Sequence, residues 1–415
     1  SYTGSTTISA GLLKILRDDP TSYLAATSGF TGPGNLTIES SAGSFTADIV
    51  TGTHVQLAGT ALGDLIIGKS GNTRQIDLSS NITTTNIQTY NGPVRLVGGD
   101  RTVSTTNSNV VFASTVNSDG TARALTVTNG TGDTTFSSAI GGSAPVSTLT
   151  ITSDQLTAGA ITLNGALTAT LGGSSTISGV IANGASAANL VKAGNGTLTL
   201  SGANTYTGTT AINAGDLTVS GSLHDSTAVS IASGADYNVN ASDTVASIAG
   251  AGNIVLASSQ TLTAGDANNK TLSGVISGAG NYIKAGSGIQ TLSASNTYTG
   301  TTQVSAGTLT VSGSGRLSDS TAVTVDSGAT YNVAVSDTVA SIAGAGNITL
   351  GSNTLTSGGS DASTTFSGVI SGTNGNIVKA GTGTLTLTGN NSYTGSTTIS
   401  AGLLKILRDN PTSYL

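Results

Sequence analysis

LVKAGNGTLTLSGANTYTGTTAINAGDLTVSG, residues 190–221, decides how this chain folds. Leu198 and Leu200 alternate with Thr, and Leu217 and Val219 do the same after a turn-rich stretch. Alternation of period two marks a strand with one buried face. The two apolar pairs lie 19 residues apart (217 − 198 = 19). Leu385 and Leu387 precede Leu404 and Ile406 by the same step, as Leu36 and Ile38 precede Val55 and Leu57. VFASTVNSDGTARALTV (111–127) returns as TFSSAIGGSAPVSTLTI (135–151), 24 residues on (135 − 111 = 24). A period near 20 residues holding short alternating strands is the length of one coil of a parallel β-solenoid. Each coil then buries its apolar stripe only against the coils above and below, and the core is a column. The expected fold is all-β, a parallel β-helix with about 19–24 residues per coil.

The composition agrees. Of 415 residues, 58 are Gly and only 8% are charged, while aromatics make up 4%. Thr, Val and Ile suit a pleated surface, and Gly and Asn suit tight turns. A net charge of −6 gives no basic stripe to neutralise phosphates, so nucleic acid is not an expected partner. The absence of Cys excludes a disulfide framework and a thiolate metal site. No apolar run reaches the roughly 18 residues of a membrane-spanning helix.

Two longer periods overlie the coil. TVASIAGAGNI occurs at 244–254 and 338–348, a step of 94 (338 − 244 = 94). The opening block returns as YIKAGSGIQTLSASNTYTGTTQVSAGTLTVSG (282–313) and IVKAGTGTLTLTGNNSYTGSTTISAGLLKIL (377–407). Residues 1–24 and 392–415 are the same sequence apart from Asp19 against Asn410, a step of 391 (392 − 1 = 391). The chain therefore reads as one period of a longer array: 1–24 closes a preceding unit, 25–175 and 176–391 are two families of coils, and 392–415 opens the next unit.

The blocks at 190–221 and 377–407 resemble the autotransporter-associated β-strand repeat, also called the passenger-associated transport repeat. Its pattern is K-x-G-x-G-T-L-x-L-x-G-x-N-x-Y-x-G-x-T-x-(I/V)-x-A-G-x-L-x-V. The block at 282–313 departs from it at Ile289-Gln290, where the family has Thr-Leu, so its first strand is expected to pack differently. These blocks cover about a quarter of the chain. Residues 86–151 resemble repeats of large filamentous-haemagglutinin-type adhesins. The resemblance implies a right-handed β-helix on the bacterial surface or secreted, brought out through an outer-membrane β-barrel. It also implies an adhesive or structural fibre that works without catalysis. Its implied partners are neighbouring repeat units end to end, lateral copies forming filaments, and surface glycans.

Chemical motifs are few. GDLIIGKS (63–70) fits a phosphate-binding loop by letter, but Leu65-Ile66-Ile67 reads as a strand and no helical period comes after it. His54 and His224 are isolated surface residues, which makes neither a zinc site nor a triad. Some β-helices degrade polysaccharides with clustered carboxylates. Here Asp18-Asp19 is the one adjacent acidic pair, and its second copy is Asp409-Asn410, so no catalytic residue, cofactor or metal is expected. Lys192, Lys284 and Lys379 share one repeat position, and Tyr206, Tyr298 and Tyr393 share another. Two readings stay open: exposed bands that touch a glycan or a neighbouring filament, or Lys lying along a turn and Tyr covering a corner. Arg17-Asp18-Asp19-Pro20 replaces the usual Ser-Gly turn, so Arg17–Leu24 is expected to leave the solenoid as a loop, with Arg17 and Tyr23 available for contacts.

Overall fold

The computed structural model describes residues 5–20, 29–57 and 62–407. Every regular element among them is a short β-strand, and every strand pairing is parallel. The described chain is a β-solenoid in two compact units, one of residues 1–210 with 215–217, the other of 211–214 with 218–415.

In the first unit one face stacks Arg101–Ser104, Leu125–Thr128, Leu149–Ser153, Ala166–Leu171 and Asn189–Ala193. Leu125, Leu149, Leu167 and Leu190 fall in one register column, and Val127, Ile151 and Ala169 in the next. All seven are fully buried, while Thr126, Thr150 and Thr168 between them face outward. A second face carries Gln88–Tyr90, Val110–Phe112 and Thr134–Phe136. Its register puts Tyr90, Phe112 and Phe136 in one column, where the rings stack at 5.0 and 4.8 Å between centroids. That spacing is the inter-strand distance itself, about 4.8 Å, so identical register forces stacking.

In the second unit one face runs from Ala228–Ile231 to Val369–Ser371, and another from Asp243–Val245 to Leu403–Ile406. The third face stacks Ala235–Val239, Asn253–Leu256 and Ile276–Gly278, then resumes at Asp337–Val339. Between them the coils carry no named strand but stay tied, through the Ser295–Arg316 bridge and through Thr297 N–H on Ile276 and Thr299 N–H on Gly278.

Coil length is less regular than the sequence suggests. Asp236 meets Asn253 across 17 residues, whereas Asn35 meets Asp64 across 29. The apolar columns fix only the strands, so turns absorb the difference. The two seam copies fold alike locally: Leu12 and Leu16 are 59% and 55% exposed, and Leu403 and Leu407 are 55% and 46% exposed.

The seam turn departs from expectation. Asp18 does not leave the solenoid. Its carboxylate accepts the Ser40 hydroxyl at 2.7 Å and the Ser41 hydroxyl at 2.9 Å, and its carbonyl accepts the Thr46 N–H. These hydroxyl donors hold the Asp18 carboxyl below its usual value. Pro20 is buried and Arg17 exposed. Tyr23 and Leu24, the rest of the expected loop, lie outside the described residues.

Candidate functional site

The repeated Lys and Tyr positions are interior, not surface bands. Lys192 is fully buried and Lys284 and Lys379 are 1% exposed. In the strand Asn281–Lys284, Tyr282 and Lys284 both point inward. The Lys284 ammonium donates to the carbonyls of Ala285 at 2.6 Å, Gly286 at 2.9 Å and Ala306 at 3.1 Å, using all three protons. Lys379 repeats this with Ala380, Gly381 and Ala401. Lys192 donates to Ala193 at 3.0 Å and Gly194 at 2.8 Å.

The pattern K-x-G … A-G thus acquires a physical reason. Gly286 has φ of +67°, which turns the chain so that its carbonyl faces the ammonium, and an added Cβ would meet the Asp266 carbonyl at 2.4 Å. Burial pulls Lys284 down and Lys192 down to about 8.

Tyr206 and Tyr298 are fully buried and Tyr393 is 9% exposed, so none presents a ring face to a glycan. The Tyr206 hydroxyl is hydrogen-bonded to that of Thr210 at 2.5 Å, Tyr298 to Thr302 at 2.5 Å and Tyr393 to Thr397 at 2.7 Å. Two residues earlier, Asn204 and Asn296 accept the N–H groups of Ile181 and Ile276, each at 2.9 Å. At Ile289-Gln290 the strand does pack differently: Gln290 is buried where the other copies place Leu, and Ile289 is 38% exposed.

A second buried set has no counterpart in the sequence reading. Tyr237 donates to the Asp243 carboxylate at 2.8 Å, and Tyr331 donates to Asp337. Leu223 N–H and Leu317 N–H cap the same two carboxylates. The signal was present as YNVNASDT and YNVAVSDT, 94 residues apart (331 − 237 = 94). Burial pushes both carboxyls up to about 6. A carboxyl raised in the folded state binds its proton more tightly there than in the unfolded chain. Its contribution is complete below about pH 4 and lost as pH rises through 6. Each should be worth about 3 kcal/mol over that window, at about 1.4 kcal/mol per unit. Hydrogen exchange at 223–256 and 317–349 should therefore be slower at pH 4.5 than at pH 7.5, after correction for intrinsic rates. The Asp243→Asn, Asp337→Asn double variant should flatten that difference.

The remaining motifs are structural. Leu65–Ile67 is a strand with Leu65 and Ile67 fully buried, and the next element is the strand Ile76–Leu78, so GDLIIGKS lacks the helix a phosphate cradle needs. His54 Nδ1 accepts the Val50 N–H at 3.1 Å, and His224 meets Ser226 at 2.8 Å. Among the described residues no three of His, Cys, Asp or Glu gather to hold a metal. Among them, too, no helix is long and apolar enough to cross a membrane.

Charge concentrates on one side of the first unit. Arg95 forks onto Asp77 at 2.9 and 2.6 Å, and Arg123 forks onto Asp119 at 3.1 and 3.2 Å. The Arg123 guanidinium holds the Asp119 carboxyl well below the usual carboxylate range. Beside it a shallow groove of about 320 Å³ runs over Gly120, Ala122, Ser143, Pro145 and Asn164. A groove of similar volume in the second unit lies among Thr297, Thr299, Arg316, Ser318 and Asp319.

The fold and these repeated caps define a solenoid stapled at fixed positions by buried Lys, Asn and Tyr. The passenger-associated transport repeat matches at residues 1–15, 190–219, 283–311 and 377–406, and the last three segments carry those caps. These segments, about a quarter of the chain, are similar to passenger-associated transport repeats. The chain is also similar to the Adhesin BmaC autotransporter of Brucella suis biovar 1 (strain 1330), with 38% identity over 229 residues. The match covers 52% of this chain and 7% of that relative. No solved structure matches.

Proposed function

We propose that this chain is part of an extracellular, adhesin-like autotransporter passenger, carried across the outer membrane by a β-barrel and working without catalysis. The observation that carries the reading is the coincidence of the transport repeats with the buried caps, in a chain similar to an autotransporter adhesin. The work is mechanical. Parallel ladders hold a stiff backbone, and a chain rich in Ser, Thr and Asn, with only 8% charged residues, offers many weak contacts. Such contacts gain strength by multiplicity. The 391-residue step supports units joined end to end, and lateral pairing of copies would extend the contact area. Glycans are the surface ligands that hydroxyl-rich faces suit best. The raised carboxyls of Asp243 and Asp337 serve Tyr and backbone partners inside the fold, which leaves them out of polysaccharide cleavage.

The test is attachment. Beads coated with the chain should be retained on cell layers and on glycan-coated glass, while the soluble chain should release no reducing ends from polysaccharides. Absence of retention, or release of reducing ends, would contradict the reading.

A further inference from the structure

One coil occurs twice in this chain, in two states. Residues 1–18 and 392–409 are identical in sequence. In the first copy a following coil lies against it: Thr6 and Thr7 pair with Phe30 and Thr31, and Leu12–Leu16 pairs residue by residue with Asn35–Glu39. In the second copy the same strands pair only with the preceding coil, Thr397–Ile399 on Asn376–Lys379 and Leu403–Ile406 on Thr384–Leu387. The difference is read at one side chain. Ile8 is 6% exposed, and its counterpart Ile399 is 54% exposed.

The following coil is closely moulded to the seam. Gly34 N–H donates to the Ile8 carbonyl at 2.7 Å, and Asn35 N–H donates to that of Gly11 at 2.8 Å. A Cβ at Gly34 would meet Ile8 Cγ2 at 2.2 Å, so Gly shapes this edge to the isoleucine. Lys14 reaches across to Glu39 at 2.7 Å. Ile399, Gly402 and Lys405 repeat Ile8, Gly11 and Lys14. The backbone repeats too, with φ of +76° at Gly11 and +71° at Gly402, and Lys405 is exposed. An open strand edge is a template for pairing with another chain. The first copy shows which edge fits this one: residues 30–39.

We propose that separate copies of this chain join head to tail by seam exchange, the 397–407 edge of one copy taking the 30–39 edge of the next in place of that copy's own residues 5–16. The register is set in advance: Leu403 to Asn35, Lys405 to Thr37 and Ile406 to Ile38, with the Lys405 ammonium on Glu39. Identical side chains leave the contacts nearly unchanged by the exchange. Two terms then decide it. Bringing two chains together costs translational and rotational freedom. Releasing residues 5–16, which among the described residues pair on one side only, returns their conformational freedom. The incoming strands are already ordered on their own preceding coil. Rising concentration therefore favours exchange. The contact is heterologous, so it does not close on itself and adds copies in a line. Where a further unit follows in the same chain, that unit fills the edge first, at a higher effective concentration. The assembly is independent of adhesion, because neither edge needs a surface or a glycan.

The chain has no Cys, so introduced cysteines report the contact. Full-length Lys405→Cys and Thr37→Cys chains, mixed and oxidised, should form a mixed disulfide, because facing residues of paired strands lie about 4.8 Å apart, a distance a disulfide spans. Thr126→Cys, on the outward side of a strand paired on both edges, should give far less with Lys405→Cys. In one chain, Lys14→Cys with Thr37→Cys should bridge internally, since these two are register partners, and lock the first seam copy in place. By light scattering the unmodified chain should gain mass with concentration, while the oxidised locked variant stays monomeric and regains growth on reduction. Unaltered circular dichroism would show that the variants fold. Equal bridging to Thr126→Cys, growth of the oxidised locked variant, or an unmodified chain that stays monomeric up to its solubility limit would overturn the proposal.

Discussion

Phe112→Ala is expected to destabilise the first unit by about 4 kcal/mol, the upper part of the range for emptying a buried aromatic site. Phe112 is fully buried and stacked on both sides, against Tyr90 with an interplanar angle of 11° and against Phe136 at 2°. Removing the middle ring deletes two contacts and leaves a cavity that the strands cannot close, because Val110–Phe112 is held in register by both neighbours. A solenoid couples mainly through adjacent coils, so the damage should be local. Hydrogen exchange should accelerate at 88–96, 110–118 and 134–140 and stay unchanged in the second unit. Phe112→Leu should cost less than half as much, since it keeps most of the volume. A uniform loss of protection across both units would contradict nearest-neighbour coupling.

Lys284→Met is the second large effect, about 3 kcal/mol of destabilisation. Two opposed terms meet here. Removing the ammonium relieves its desolvation, which is what pulls its pKa down. It also leaves three carbonyls, Ala285, Gly286 and Ala306, facing a thioether that donates nothing. Each buried unpaired acceptor costs about 1–3 kcal/mol, so the stranded carbonyls win. Ala306 belongs to the following coil, so the break also separates neighbours. Urea unfolding of the variant should show a lower midpoint, with early exchange at 282–307. The wild-type Lys192 adds a pH signature of opposite sign to Asp243. A Lys lowered to about 8 penalises the folded state below that pH, and stability rises as pH climbs from 8 towards 10.5.

The architecture was legible because its signal is redundant. Leu198, Leu200, Leu217 and Val219 each announce an inward position, and many coils repeat the message. Coil length was not, because turns carry no apolar pattern: the 29-residue step between Asn35 and Asp64 hides in a Ser- and Gly-rich stretch. For Lys192, Lys284 and Lys379 the sequence left a surface band and a structural turn residue both open, for a sound reason. Charged side chains are almost never buried unpaired, and their acceptors are backbone carbonyls, which leave no mark in sequence except the Gly that turns them inward. Tyr206 and Tyr298 were equally ambiguous in sequence, and the Thr four residues on gives each hydroxyl its partner inside. The Tyr237–Asp243 and Tyr331–Asp337 pairs could have been found from their repetition alone.

The measurement that bears most directly on an adhesive, non-catalytic passenger is bead retention as a function of coating density. Weak contacts summed over a repetitive surface should make retention under flow rise more steeply than in proportion to the number of chains on each bead. Soluble chain in excess should compete only weakly. No retention at any density, or retention strictly proportional to density and abolished by an equal amount of soluble chain, would contradict the account.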